Sequence, residues 1–218
     1  MDWLHALMPW RDGRGDANAT RWVVLDVESS GLDPRHDRLL AIAAVAVRID
    51  GGHASIDLGD SFEVVLRQAQ SKAAPDRQNI LLHGIGVGAQ QHGVEATVVL
   101  QAFTRFAAGS PLIAFHAAFD RALIERACRA EGLAAPGNGW LDLEPLAAVL
   151  LPQVKARSLD EWMQALGIHC AVRHQAAADT LATAELLLKL WPALLGELPQ
   201  PTFKAVAALA AQRRWLPG

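Results

Sequence analysis

Two cysteines, Cys128 and Cys170, are all that the 218 residues contain. They build no disulfide framework, which fits a reducing cytosol. No paired cysteine spacing completes a four-ligand zinc site around His169, Cys170 and His174. An excess of basic charge is also missing. Twenty Lys and Arg against 23 Asp and Glu give a net charge of −3, so the chain lacks the basic footprint of many nucleic-acid binders. That does not exclude a nucleic-acid enzyme, because bound divalent cations cancel negative charge locally. Only a local basic rim is then needed, for which Arg121, Arg126, Lys155, Arg157 and Arg173 are candidates. No uncharged apolar stretch of about 18 residues occurs, so neither a transmembrane helix nor a membrane partner is expected. With Asp2 and no basic start at the N-terminus, no signal peptide is expected and the cytoplasm is the expected compartment.

What is present suits one α/β domain with a sizeable core: 51% apolar residues and 20% charged. Met1–Trp10 sets Trp3, Leu4, Leu7 and Met8 on one side of a possible short helix, and a polar linker follows to Thr20. Residues 1–20 are therefore read as an appendage. From Trp22 the pattern becomes that of buried strands: Trp22–Val27, then Leu39–Ile49, then Ser61–Leu66, separated by turns at Gly31–Pro34 and Gly51–Gly52. This predicts an antiparallel three-strand meander. Helical spacing follows over Val94–Ala107, a strand over Pro111–Phe115, a helix over Phe119–Ala130 and a short strand over Trp140–Leu143. Ser158 with Glu161 starts a helix that Gly167 stops, and Asp179–Leu190 and Phe203–Trp215 close the chain. The pattern predicts a mixed sheet flanked by helices, with 21–197 as the main domain and 198–218 as a helical tail packed on it.

Four acids and one histidine carry the chemistry. Asp26 and Glu28, two apart on a strand, leave the same face and can grip one ion. Ser29, Ser30 and Gly31 end that strand, where backbone can approach a ligand and hydroxyls can bond a phosphate or sugar. Asp120 falls in the first turn of a helix, where a simple cap would also explain it. His174 and Asp179 are five apart, ~500° of rotation on one helix, which would point them about 140° away from each other. They face one site only if His174 lies in the loop and Asp179 starts the helix. Carboxylates beside apolar runs are tolerable if they share hard cations, and a histidine can collect a proton from an attacking water. Gly84-Ile-Gly86-Val-Gly-Ala89 formally fits a dinucleotide loop, but no clear strand precedes it and no acid follows at the needed distance.

Three segments, Asp26-Val-Glu-Ser-Ser-Gly31, His116-Ala-Ala-Phe-Asp120 and His174-Gln-Ala-Ala-Ala-Asp179, stand in an order that resembles the DEDD-type 3′–5′ exonucleases of the histidine subgroup. That family's motifs read Asp-x-Glu-Thr-Thr-Gly, His-Asn-Ala-x-Phe-Asp and His-x-Ala-x-x-Asp. Leu32-Asp33-Pro34, His83-Gly84-Ile85 and Leu141-Asp142-Leu143 match its subsidiary features. The resemblance implies a ribonuclease H-like α/β fold around a five-stranded mixed sheet. It implies two divalent cations, Mg²⁺ or Mn²⁺, held by Asp26, Glu28, Asp120 and Asp179, with His174 as base. It adds His83 and Phe119 to Ser29, Ser30 and Gly31 as residues facing substrate. The implied substrates are single-stranded or frayed 3′ ends of DNA, cut to nucleoside 5′-monophosphates. RNA ends are the rival within the enzyme class, and an inactive binding module is the rival outside it. All four carboxylates are kept, which disfavours the second. Ser29-Ser30 replaces Thr-Thr, and the asparagine of the second motif is read at Ala117. No clamp-binding peptide is evident in Pro199–Gly218, so association with a polymerase is not evident.

Overall fold

Three long strands form the first half of the sheet in the computed structural model, which describes residues 20–50, 52–68, 77–170 and 172–215. The helix read at Met1–Trp10 lies outside the described residues. Strand β1 (Thr20–Ser29) pairs antiparallel with β2 (Leu39–Asp50), and β2 with β3 (His53–Val65). Two short strands then join in parallel: β4 (Leu112–Ala114) beside β1, and β5 (Trp140–Asp142) beside β4, giving the order β3-β2-β1-β4-β5. The five-stranded mixed sheet expected from the sequence is therefore present.

β3 is longer than its apolar stretch suggested. Ala46 pairs with Asp57 but Val45 with Ser61, so three residues bulge out of the ladder without ending it. Within the bulge, Asp57 accepts from the Gly59 N–H at 3.1 Å, and Asp60 turns inward to accept from Arg21 and Arg48.

Helices cover both faces of the sheet. Strand alternation sends Val23, Leu25 and Val27 into a core with α3 (Ala96–Ala107) and α4 (Ala117–Ala130). Trp22 and Val24 enter the other core, built with α5 (Leu143–Leu150), α6 (Leu159–Leu166), α7 (Ala176–Glu197) and α8 (Phe203–Ala210). Two small helices precede α3: α1 (Arg77–His83) and α2 (Val87–His92). Thr180 Oγ1 in α7 donates to the carbonyl of Ala43 in β2 at 3.2 Å, which fixes the start of α7 against the sheet. No helix among the described residues is long and apolar enough to cross a membrane.

Trp22, 1% exposed, ties the C-terminal elements to β1. Its ring meets Trp191 edge-on at 5.8 Å and Phe203 at 6.1 Å between centroids. Trp22→Ala is expected to cost about 3–5 kcal/mol, read as a lower midpoint in urea unfolding.

Candidate active site

β1 carries two acids past the end of its apolar run. Asp26 and Glu28 continue the alternation of Trp22 and Val24, so they face the layer that holds α7. Asp179 stands in the first turn of α7, where the helix dipole favours a carboxylate. Carboxylate oxygens of Asp26, Glu28 and Asp179 lie within 4.8 Å of one another. They line a cleft of about 420 Å³, along with Asp120 and His174.

Asp120 arrives from α4, on the other side of the sheet, and is 3% exposed. Its position follows from the shortness of β4, whose pairing with β1 goes no further than Val24 and Ile113. Val23 donates its N–H on the β4 side, so alternation turns the Val27 N–H the same way, beyond the last ladder partner. A buried N–H needs an acceptor, and Asp120 Oδ1 supplies it at 3.1 Å.

Crowding four acids here has an electrostatic cost. Burial, then the neighbouring charges of Asp120, Glu28 and Asp179, hold Asp26 well above the usual carboxylate range. Asp26 keeps some accessible surface at the cleft floor, but its carboxyl group is enclosed enough to be desolvated. Glu28 is pushed up to about 8, first by burial and then by Asp179. Burial also raises Asp120 to about 8, although N–H groups of its own residue and of Val27 oppose the shift. Arg173 lowers both Asp26 and Glu28. One guanidinium does not balance the cluster, and a set of closely spaced carboxylate oxygens suits hard divalent cations.

The third motif divides between loop and helix, although α7 starts at Ala176, three residues before the expected start at Asp179. His174 lies in the loop before α7 in the left-handed conformation, with φ 61°, which histidine tolerates better than most side chains. Its N–H donates to Asp179 Oδ2 at 3.2 Å. The other oxygen of Asp179 accepts from Arg173, whose Nε donates to Asp160 at 2.5 Å.

Among the expected substrate-facing residues, Ser29, Gly31 and Phe119 line the cleft, while Ser30 and His83 do not. Both hydroxyls are engaged within the turn: Ser29 donates to the Gly31 carbonyl at 2.5 Å and Ser30 to Asp37 at 2.9 Å. His83 is 3% exposed and accepts the Ile85 N–H at Nδ1, and burial holds its pKa below the ordinary value.

The reading of Ala117 at the asparagine position needs correction. His116–Asp120 is one residue shorter than the six-residue motif, so alignment on Asp120 puts the asparagine position at His116. The backbone agrees: His116 has φ 60°, a left-handed conformation that asparagine also favours, whereas Ala117 is 4% exposed in the core. The His116 N–H donates to Asp142, which also caps α5, so Leu141-Asp142-Leu143 braces this turn.

Sequence reasoning did not assign Leu32, Asn79 or Asp160 to the site, yet all three line the cleft. Leu32 is 89% exposed there, and Asn79 donates to the Ser29 carbonyl at 2.9 Å. Asp160 was hidden inside the capping box of α6, formed by Ser158 and Glu161. On sequence alone, Arg173 is one of several rim cations.

The family model described as Exonuclease matches residues 23–187. The chain belongs to the exonuclease family. Among its relatives, DNA polymerase III PolC-type of Bacillus cereus is 31% identical over 169 residues, covering 78% of this chain and 11% of that protein. A DNA polymerase III subunit epsilon-like protein of Rhodobacter capsulatus is 33% identical over 178 residues, covering 79% of this chain and 24% of its own. This exonuclease chain thus spans a quarter or less of either relative. Solved structures share its fold. E. coli exonuclease I in complex with a dT13 oligonucleotide superposes with TM-score 0.66 at 18% identity, covering 86% of this chain and 45% of the other. Exonuclease X in complex with 5′ overhanging duplex DNA gives TM-score 0.63 at 21% identity, covering 87% and 99%. The exonuclease fold here is ribonuclease H-like.

Glu28 provides a pH test of this acidic cluster. It ionises near 8 when folded, against an ordinary 4.5, so unfolding releases a proton between those values. Without metal, its contribution makes stability fall as pH rises through that window and level off above it. In chelator, the melting temperature of the parent should fall more steeply from about pH 6.5 to 8 than that of Glu28→Gln. Equal slopes would contradict the assignment.

Proposed function

We propose that this chain is a metal-dependent 3′–5′ exonuclease that hydrolyses phosphodiester bonds at single-stranded or frayed 3′ ends of DNA, releasing nucleoside 5′-monophosphates. The observation that carries the proposal is the cluster of Asp26, Glu28 and Asp179 oxygens within 4.8 Å, in a cleft that also admits His174 and Asp120. DNA as substrate draws support from the DNA polymerase relatives and from the oligonucleotide and overhang complexes of the structural neighbours.

Asp26, Glu28 and Asp179 would hold divalent cations, Mg²⁺ or Mn²⁺, and Asp120 would complete the acidic wall beside them. Two bound cations supply stabilisation of the attacking and leaving oxygens of an in-line displacement. The chain's other residues orient and move protons. The Asp120 carboxylate is kept in place by the Val27 N–H, and Asp179 by the His174 N–H. His174, aimed into the cleft from a loop tied to Asp179, takes the proton of the attacking water. Phe119 offers a ring on which the terminal base can stack, and the Ser29–Gly31 backbone approaches the sugar and phosphate. His83 acts from behind this surface through Ile85, and Ser30 through Asp37.

The test is release of labelled mononucleotide from a 3′-labelled single strand, with Mg²⁺ or Mn²⁺ and with chelator. Asp26→Ala should abolish release while the fold survives. Its metal-free stability should stay level or rise, because a like charge has gone, and added cation should raise its melting temperature far less than the parent's. Activity that persists in chelator would overturn the metal-dependent reading. His174→Ala should lower kcat by about 10²–10⁴-fold with Mn²⁺ affinity nearly unchanged in a calorimetric titration. A variant that keeps its rate, or loses the cation instead, would remove His174 from the role of base.

A further inference from the structure

We infer that Arg173 is the resident counter-ion of the carboxylate cluster, standing against Asp179 in place of a divalent cation, so that cation binding is an exchange that expels its guanidinium. This rests on the reading of Asp26, Glu28 and Asp179 as cation ligands.

Three observations converge on Arg173. Its guanidinium bridges two acids, donating through one terminal nitrogen to Asp179 and through Nε to Asp160 at 2.5 Å. The side chain lines the cleft and is 23% exposed, so part of its charge has been taken from water into the site. That charge also acts on Asp26 and Glu28, beyond the carboxylates it touches. A guanidinium does not lose its proton, so it leaves the cluster only by moving.

The two acids it bridges differ in depth. Asp179 is 9% exposed by side chain and Asp160 is 59% exposed at the rim. A divalent cation at Asp179 would repel the guanidinium from the inner acid and leave it paired with the outer one. Both oxygens of Asp179 are engaged by this loop, Oδ1 by Arg173 and Oδ2 by the N–H of His174. The next residue after Arg173 is His174 itself. Exchange at Asp179 therefore bears directly on the loop that presents the proposed base, coupling cation occupancy to its setting.

The exchange makes a signed prediction that a structural role does not. Removing the guanidinium removes both a competitor and a like charge, so the cation should bind more tightly although the metal-free protein is less stable. A contact closed in nine molecules of ten weakens apparent affinity by about tenfold. Mn²⁺ titrated calorimetrically into the full chain should bind Arg173→Gln about tenfold or more tightly than the parent. In chelator the variant should melt lower, and saturating Mn²⁺ should close that gap. Arg173→Lys keeps the charge but cannot fork between two acids, so its affinity should fall between the two. If Arg173→Gln fails to fold, the lysine variant decides: tighter binding supports the exchange and unchanged binding overturns it. A folded Arg173→Gln that binds Mn²⁺ no better, or more weakly, overturns it too. A parent chain that takes up no Mn²⁺ at all removes instead the reading of the three acids as ligands.

Discussion

Repulsion among three carboxylates in a half-dehydrated cleft is the constraint around which this molecule is organised. Asp26, Glu28 and Asp179 bring oxygens within 4.8 Å of one another, a spacing that is costly when all are ionised and that protonation or an opposing cation relieves. Left alone, such a cluster would spread apart. The fold resists that at each point of attachment. β1 is paired along both sides near its centre, and α7 is held to β2 through Thr180 and Ala43. Proton uptake and the Arg173 guanidinium relieve what strain remains. The site is thus assembled under electrostatic load by packing energy from two cores, and a cation would discharge that load.

The two faces of the sheet contribute unequally. Asp26, Glu28 and Asp179 belong to the side where α7 packs, whereas Asp120 comes from α4 on the opposite side. β1 ends at Ser29, so no third acid follows Glu28 on this face within the strand, and the further acids come from helices. α7 lies over the sheet and can start at the cleft. α4 meets the cleft because the strand before it is only three residues long. The helix start at Ala117 then carries Asp120 to the unpaired edge of β1, and the left-handed turn at His116, braced by Asp142, sets its direction.

Much of this was legible in the chain because the signals were local. Alternation over Trp22–Val27 gave the face of Asp26 and Glu28, and the five-residue gap between His174 and Asp179 required a loop before a helix. Less legible features depended on distant partners. β3 looks broken at Asp57-Leu-Gly-Asp60, yet Arg21 and Arg48 draw Asp60 inward and the ladder resumes. α1 and α2 are seven and six residues long, too short for periodicity to register. The asparagine position, by contrast, is legible once the second motif is counted back from Asp120, and the left-handed backbone at His116 agrees with that count. Arg173 looked like one surface cation among several, and only its two acidic partners distinguish it.

The three-residue length of β4 reaches beyond geometry, into what kinds of sequence drift the chain can absorb. Val27 offers its N–H to Asp120 only because the neighbouring strand has already ended. A change that extended the β4 ladder toward Val27 would add a backbone pair to the sheet. It would also claim the donor that orients the fourth acid. Every acidic residue could then remain in the sequence of a more regular protein whose cleft had lost one wall. Inspection of the motifs alone would not reveal the loss, since the deciding feature is a hydrogen bond that the sheet leaves unmade.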